Sequence, residues 1–298
     1  MNLSQSQKGL LAVTVACTIW GLSPIFFKIL AHIPAQEVLA HRVIWSFVFF
    51  GLMLTFQGRL GDVRTALHGW RRLGLIALAS LLISANWFLL IFAIQIGRTT
   101  EVSLGFFIFP LVAVLIGRFG FGERLGRLQG LAVSLATLAV GVLTWGLGVA
   151  PWISLVMAST FGLYSAIKKQ LAVGPVVSVT CEILLFLPIA LGILAQQHTG
   201  GQGAFGADAT DSLLLILAGP LTALPLILFS YAARRVTMAS IGVLQYINPT
   251  LQFLVAVLLF GEAFTLWHQI AFPLIWVGLI LFTLASLRPG PANNRPRP

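Results

Sequence analysis

Charged residues are scarce in this chain. Asp, Glu, Lys and Arg make up only 9% of its 298 residues, whereas average soluble proteins carry about 25%. Hydrophobic residues make up 58%, so a water-soluble class is excluded. Only two cysteines are present, Cys17 and Cys181, and both lie in apolar stretches. Two isolated thiols of that kind indicate neither a disulfide nor a metal site.

Acidic residues are scarcer than basic ones, with 8 Asp and Glu against 18 Lys and Arg and a formal net charge of +10. In a soluble chain this excess would favour a nucleic-acid partner. Here the Lys and Arg fall in short loops between apolar stretches, so we predict no nucleic-acid partner.

Sequence motifs of soluble enzymes are also missing. The chain has no P-loop, no dinucleotide-binding glycine motif, no H-E-x-x-H zinc motif and no G-x-S-x-G nucleophile motif. We therefore predict that the protein is not an enzyme and has no catalytic residue, no cofactor and no metal. Without a domain that hydrolyses ATP, any transport must be driven by gradients or by a separate subunit.

The chain consists instead of apolar blocks of about 20 residues, the length that crosses a hydrocarbon core of ~30 Å as a helix. They predict an all-α integral membrane protein with ten transmembrane helices. The predicted segments span residues 9–29, 35–56, 73–95, 101–121, 127–146, 150–168, 176–195, 212–233, 238–260 and 266–287.

The positions of Lys and Arg predict the orientation. With the N-terminus placed in the cytoplasm, the opposite side carries only Lys28 and Arg98, in keeping with the positive-inside rule. The longest loop on that side, 196–211, has no Lys or Arg. Both termini are therefore predicted to be cytoplasmic. The polar, Pro-rich segment 288–298 is predicted to be a disordered cytoplasmic tail.

One stretch of the chain occurs twice. Residues 98–123 and 235–262 each carry a Ser-x-Gly step, a proline within an apolar run and a closing Gly-Glu pair. Residues 20–34 also align without a gap on 161–175. Because each half holds five segments, an odd number, the second half enters the membrane inverted. The two predicted inverted five-helix repeats are 8–146 and 150–287.

The densest polar group inside a predicted helix lies in segment 35–56. Glu37, His41 and Trp45 share one face at i, i+4, i+8 spacing, and Arg42 lies beside them, roughly 10 Å along the helix. In a functional interpretation Arg42 binds an anionic group of a substrate, while His41 or Glu37 exchanges a proton. In a structural interpretation these side chains satisfy one another and fix helix packing. The sequence leaves both open.

Polar and aromatic residues of other segments are further candidates for substrate binding. An amide in mid-membrane needs partners, and a proline such as Pro249 frees backbone carbonyls beside it. The matching stretch of the first half is aromatic, so we expect a cavity with one aromatic and one amide-rich wall. Hydrogen bonding between helices is the alternative. These candidates are Trp20, Asn86, Phe107, Tyr164, Gln245, Tyr246 and Asn248.

Three further acidic residues carry separate expectations. Glu182 is the only acid deep in the second half. It either binds a proton reversibly, with Glu37 and His41 as the other proton-coupling candidates, or pairs permanently with a Lys or Arg. Glu123 and Glu262, at loop edges, are predicted to cap the helices that follow them.

Several motifs together resemble a known family. They are Ala40–Ser46, Asn86-Trp87, Ser103–Phe107 and Gln245–Thr250, with a Gly-Glu pair closing each repeated stretch. In this order they resemble the RarD branch of the EamA family, in the drug/metabolite transporter superfamily, over residues 8–287. One departure is Asn248, where we expect glycine before the proline.

The resemblance implies a multi-pass secondary carrier of the bacterial inner membrane, with a cavity lined by helices 1–4 and 6–9. It marks His41, Arg42, Asn86, Gln245 and Tyr246 as cavity residues. We expect an exporter of small organic metabolites, amino-acid-like or amphiphilic, that works by alternating access. Membrane lipid and protons are the other expected partners, and a monomer or weak homodimer is the expected state.

Two other classes of function are open from the sequence. One is a channel or a non-transporting membrane component. The other is a membrane-embedded enzyme acting on lipid-linked or phosphorylated substrates. Such an enzyme would need clustered acids, whereas Glu37 and Glu182 lie in different halves of the chain.

Overall fold

The computed structural model describes residues 4–120, 122, 126–148, 150–171, 173–201, 203–233, 235–236 and 244–287, and these residues contain helices but no β-strand. The helices are α1 (Gln5–Ile29), α2 (Ala35–Phe56), α3 (Leu60–Ala66), α4 (Trp70–Gln95), α5 (Thr99–Gly120), α6 (Arg127–Leu147), α7 (Trp152–Gln170), α8 (Pro175–Thr199), α9 (Ala209–Ala233), α10 (Ile247–Leu254), which a π-helical turn (Val255–Leu259) continues, and α11 (Leu266–Leu287).

Eight helices in the described part of the chain are long and apolar enough to cross a membrane: α1, α2, α4, α5, α6, α8, α9 and α11. Their form follows from the solvent, because in hydrocarbon every backbone N–H and C=O must find its partner within the segment. The protein is therefore an all-α, multi-pass membrane protein. Helix α7 and the segment Ile247–Leu259 do not meet the same criterion of length and apolarity.

The observed helices follow the predicted segments with local differences. Helix α1 begins four residues early, since Ser4 and Gln7 cap it through reciprocal hydrogen bonds of 3.2 and 2.9 Å. The ninth predicted segment, 238–260, is described only from α10 onward, and 237–243 lie outside the described residues, as does the predicted tail 288–298.

The short helix α3 was not predicted. It is amphipathic, because Val63, Ala66 and Leu67 pack against Leu54 of α2 and Ile76 of α4 while its polar residues are exposed.

Packing between the helices separates a central group from a peripheral pair. Helix α2 packs on α8 and α9, α1 on α9 and α10, α4 on α7 and α8, and α5 on α7 and α10. Helices α6 and α11 pack on each other and otherwise mainly on α5. Residues on α1, α2, α4 and α9 can therefore meet at the centre of the bundle.

Glycines lie at several of these crossings. A Cβ at Gly21 would lie 2.7 Å from Cβ of Leu251, and one at Gly162 would lie 2.8 Å from Cδ1 of Ile116. At Gly219 a Cβ would come within 2.5 Å of the Trp45 backbone. Small residues at such points let helix backbones approach in a membrane, where dispersion contacts hold helices together.

The two proline-containing helices of the repeated stretches contact each other. Ser103 of α5 donates its hydroxyl to the carbonyl oxygen of Pro249 of α10 at 2.8 Å. A polar contact of this kind satisfies a carbonyl inside the bundle and links the two halves of the chain.

Glu262 caps a helix, but not the one predicted. Its carboxylate accepts hydrogen bonds from the backbone N–H groups of Thr99 and Thr100, at 2.6 and 2.7 Å, and from the Thr100 hydroxyl at 2.7 Å. It therefore caps α5 rather than α11, the helix that follows it. A carboxylate at this place also complements the positive end of the helix dipole. Glu123 lies outside the described residues.

We expect Glu262→Ala to destabilise the protein by about 2 kcal/mol, because two helix N–H groups lose a charged acceptor. Equilibrium unfolding of the detergent-solubilised protein measures the change. Asp62→Ala is the control, since its exposed pair with Arg59 should contribute less than about 1 kcal/mol. Equal stability of the two variants would contradict the capping role.

Candidate functional site

Arg42 lies inside the bundle with 6% of its surface exposed. Its Nε donates a hydrogen bond to the Thr222 hydroxyl of α9 at 2.7 Å. Its guanidinium carbon lies 4.4 Å from the ring centre of Trp87 on α4 and 5.4 Å from that of Phe27 on α1. Four helices therefore converge on this guanidinium, and two of them present aromatic faces to it.

This guanidinium has no counter-ion among the residues that the structure describes, since none of the ion pairs found there includes Arg42. Its Nη1 is buried and has no hydrogen-bond partner. The Thr222 hydroxyl gives its own proton to the carbonyl oxygen of Ala218 at 3.0 Å, so it serves Arg42 only as an acceptor. A buried charge without a partner is costly, and the open donor is available to an anion.

Glu37, His41 and Trp45 face a different neighbour, the loop between α8 and α9. Phe205 of this loop stacks on His41 with 4.9 Å between ring centres and lies 6.2 Å from the Trp45 ring. Glu37 Oε1 accepts the N–H of Ala204 at 2.7 Å. Both His41 nitrogens, Trp45 Nε1 and Glu37 Oε2 are buried without a hydrogen-bond partner. Glu37, His41 and Trp45 are therefore neighbours of Arg42 in the sequence but pack against the α8–α9 loop rather than around the Arg42 guanidinium.

Polar contacts hold this loop onto the end of the bundle. Asp208 accepts the N–H groups of Thr210 and Asp211 at 2.8 and 3.0 Å, and these hydrogen bonds lower the pKa of Asp208. Asp211 pairs at 2.9 Å with His32, in the α1–α2 loop. The hydrogen bond to Asp211 raises the pKa of His32. The exposed His32–Asp211 pair is therefore favoured when a lower pH protonates His32.

Asn86 joins two helices. Its amide nitrogen donates to the carbonyl oxygen of Met157 and to the hydroxyl of Thr160, both on α7 and both at 2.9 Å. The side chain is 2% exposed. Both donors of the Asn86 amide are therefore used within the protein. This matches the interpretation of Asn86 as a hydrogen bond between helices rather than as a substrate-binding residue.

Glu182 is paired inside the bundle. Its Oε1 binds Lys168 of α7 and accepts the Ser178 hydroxyl at 3.0 Å, while its Oε2 accepts the Tyr164 hydroxyl at 3.0 Å. Glu182 is 2% exposed. Of the two roles open from the sequence, the contacts match pairing with a lysine. The partner is Lys168, which follows Tyr164 by one helical turn.

We expect Lys168→Met to destabilise the protein by about 3–5 kcal/mol, because it leaves the Glu182 carboxylate buried without its cation. The double variant Lys168→Met/Glu182→Leu should recover most of this loss. Unfolding of the detergent-solubilised protein measures both. Lys28→Met is the control, since the Lys28 ammonium has a carbonyl and an aromatic neighbour. A double variant as unstable as the single one would contradict the pairing.

Trp20 and Asn248 meet across the α1–α10 contact. Gln252 donates its amide to Asn248 Oδ1 at 3.0 Å and to the Trp20 carbonyl oxygen at 3.4 Å, and the Trp20 ring lies 6.0 Å from Phe229 of α9. Gln245 lies in the turn before α10 and is exposed. Trp20, Asn248 and Gln252 thus form a polar group of their own, in which Arg42 has no hydrogen bond.

Phe107 and Tyr246 lie on the side of the bundle that faces α6 and α11. Phe107 is buried 6.0 Å from Phe272 of α11, and Tyr246 packs on the same apolar cluster. The neighbouring Phe106 and Phe109 face Phe161 of α7 instead, at 6.0 and 4.8 Å. Successive helical residues point about 100° apart, which separates Phe107 from the aromatic surface of α7.

Sequence reasoning missed the side chains that surround the α2 residues. Thr222 and Phe27 carried no signal, because contacts between residues far apart in the sequence leave no periodicity. Trp87 stood in a family motif, yet nothing linked it to Arg42. For Phe205, a lone aromatic in a polar loop was the one available clue.

Comparison with known proteins places these residues in a family. The model of the EamA-like transporter family matches residues 7–145. Protein RarD of Streptomyces exfoliatus is 43% identical over 287 residues, which cover 96% of this chain and 91% of that protein. Protein RarD of Salmonella typhi is 38% identical over 288 residues (96% and 98%). Uncharacterized transporter YojE of Bacillus subtilis is 39% identical over 293 residues (97% of each).

One solved structure, a crystal structure of a protein, superposes with a TM-score of 0.62 at 19% sequence identity. The superposition covers 94% of this chain and 98% of that chain. At this identity the likeness concerns the fold alone.

Proposed function

Because the chain belongs to the EamA-like transporter family, as a RarD-like member of it, we propose that it is a secondary transporter of the bacterial inner membrane. It exports small organic metabolites, the class that includes amino acids, by alternating access. The observation that carries the proposal is Arg42, a buried guanidinium with an open donor and no anionic partner among the described residues.

An inverted repeat of two five-helix halves, 8–146 and 150–287, underlies the proposed mechanism. The helix packing supports it, because three contacts recur when the halves are exchanged. The pairs are α1 on α9 with α7 on α4, α2 on α9 with α8 on α4, and α1 on α10 with α7 on α5. Gly21 and Gly162, which match in the aligned stretches, stand at the third pair. Two similar halves can present the same site to either side with similar energies.

The orientation that we propose puts both termini in the cytoplasm and the α8–α9 loop outside. The charges of the loops support it, because the end opposite this loop holds Arg59, Arg64, Arg71, Arg72 and Arg127. In this orientation Phe205 and Ala204 close the outer end over His41 and Glu37. The conformation described is therefore closed towards the outside.

The proposed substrate site consists of Arg42 with Trp87 and Phe27 beside it. Arg42 binds the negative group of the substrate. His41 is the proposed proton carrier, because both of its ring nitrogens lack partners, whereas Glu182 is bound by Lys168. Phe107, buried against α11, lies outside the proposed site.

We expect saturable counterflow of an organic anion in proteoliposomes of the purified protein, and at least a tenfold loss of affinity in Arg42→Ala. The loss corresponds to a charged hydrogen bond of about 1.5–3 kcal/mol. Arg235→Ala is the matched control, since Arg235 also stacks on an aromatic ring, Tyr231, but at the surface. Flux that never saturates would favour a channel. Unchanged affinity in a folded Arg42→Ala variant would reduce Arg42 to a structural role.

Closure of the outer end is testable by thiol labelling from outside the cell, in a background in which the buried Cys17 and Cys181 are replaced by alanine. We expect His41→Cys, a position that the Phe205 ring covers, to react slowly with a membrane-impermeant maleimide, and faster when the site opens outwards. Ala207→Cys, at an exposed position in the α8–α9 loop, should react readily. Labelling of Ala207→Cys only after permeabilisation would contradict the orientation. Equal rates at both positions would contradict the closure.

A further inference from the structure

We infer that the site around Arg42 recognises an organic monoanion, one carboxylate on an apolar or aromatic body, in preference to a zwitterion. The inference rests on the proposed function and narrows its substrate class. It follows from which charges surround Arg42 and which do not.

Among the residues that the structure describes, Arg42 is the one cation over the Trp87 and Phe27 rings, and its guanidinium is already oriented. Nε of Arg42 is held by Thr222 at 2.7 Å, which leaves the far edge of the planar guanidinium, with its buried Nη1, for a ligand. One carboxylate balances one guanidinium. A dianion such as a phosphate ester would bring a second charge into the bundle without a partner, which burial penalises.

Each of the seven acidic residues that the structure describes has at least one partner other than Arg42, although one buried oxygen each of Glu37 and Glu101 has no hydrogen-bond partner. The pairs are Glu37 with the Ala204 N–H, Asp62 with Arg59, Glu101 with Arg98, Glu182 with Lys168, Asp208 with the first N–H groups of α9, Asp211 with His32 and Glu262 with the first N–H groups of α5. The eighth acid of the chain, Glu123, lies outside the described residues.

Glu37 is the nearest acid in sequence, and helix geometry separates it from Arg42. Five residues along a helix correspond to about 7.5 Å of rise and about 140° of rotation. The two side chains therefore point to different sides of α2, as their partners Ala204 and Thr222 confirm. In an α-amino acid the ammonium is attached beside the carboxylate. With the carboxylate on Arg42, that ammonium would be buried without an acceptor of opposite charge.

The body of the ligand meets aromatic surface. Phe27 and Trp87 lie 5.4 and 4.4 Å from the guanidinium, so the carbon atoms attached to a bound carboxylate come next to their rings. The hydroxyl of Thr222 donates to Ala218 and is not free to donate to a polar ligand. Apolar and aromatic bodies therefore gain more here than hydroxylated ones.

Matched ligands that differ only in the ammonium group test the inference. The pairs are 3-phenylpropionate with phenylalanine and 4-methylpentanoate with leucine, and phenyl phosphate is added as a dianion. Since protonated carboxylic acids cross lipid bilayers unaided, calorimetric binding to the detergent-solubilised protein is the first readout. Counterflow follows for the ligands that bind. We expect each monocarboxylate to bind at least tenfold more tightly than its amino acid and than phenyl phosphate.

Equal or tighter binding of the amino acids would overturn the inference and leave the proposed transporter standing. No binding and no counterflow across the panel, with folded protein, would count against both proposals.

A variant links the preference to Arg42. Arg42→Gln keeps a polar side chain and should bind 3-phenylpropionate no more tightly than the matched amide, 3-phenylpropionamide. The wild-type protein and Arg235→Ala should prefer the carboxylate at least tenfold. A merely structural Arg42 would weaken both ligands alike, so a retained preference in Arg42→Gln would overturn the assignment. If Arg42→Gln fails to fold, Thr222→Val, which removes the acceptor of Nε together with the hydrogen bond to Ala218, should lower the same preference.

Discussion

The centre of this protein depends on one constraint, a guanidinium that is buried among helices and has no carboxylate partner in the part of the chain that the structure describes. Arg42 sits against Trp87 and Phe27 and is held by Thr222. Four helices must keep their places for these contacts to exist. Desolvation makes an unpaired charge expensive, and a soluble anion can offset that cost only while it is bound. When the substrate supplies the counter-ion, the guanidinium is paired only while the substrate is bound.

Two groups of contacts in the bundle differ in their chemistry. At the α8–α9 end, Phe205 covers His41, and Glu37 holds the loop by a single backbone N–H. Between α7 and α8, Glu182 and Lys168 form a buried pair, and Tyr164 donates a hydrogen bond to Glu182. Separating these contacts has different consequences. Moving Phe205 away from His41 exposes aromatic rings, whereas moving Lys168 away from Glu182 separates two charges. The halves of the chain are thus similar in packing and unlike in their polar contacts.

Sequence reasoning found the helices and the charged residue at the centre, because both depend on local composition. Blocks of apolar residues fix the spans, and an Arg within such a block stands out. It could not find Thr222, since this contact joins residues 180 positions apart, nor the lysine partner of Glu182. Glu262 was read as a cap for the next helix, whereas tertiary packing brings it to α5. The sequence alone does not distinguish Phe106 from Phe107. In the structure, Phe107 packs against α11 and Phe106 against α7, because successive residues of a helix point in different directions.

The most direct test is a structure determined with a transported carboxylate bound. The account predicts a carboxylate oxygen within hydrogen-bond distance of Arg42 Nη1, about 2.7–2.9 Å, and the body of the ligand against Trp87 and Phe27. A ligand bound elsewhere, with Nη1 satisfied by a carbonyl or carboxylate of the protein, would contradict it.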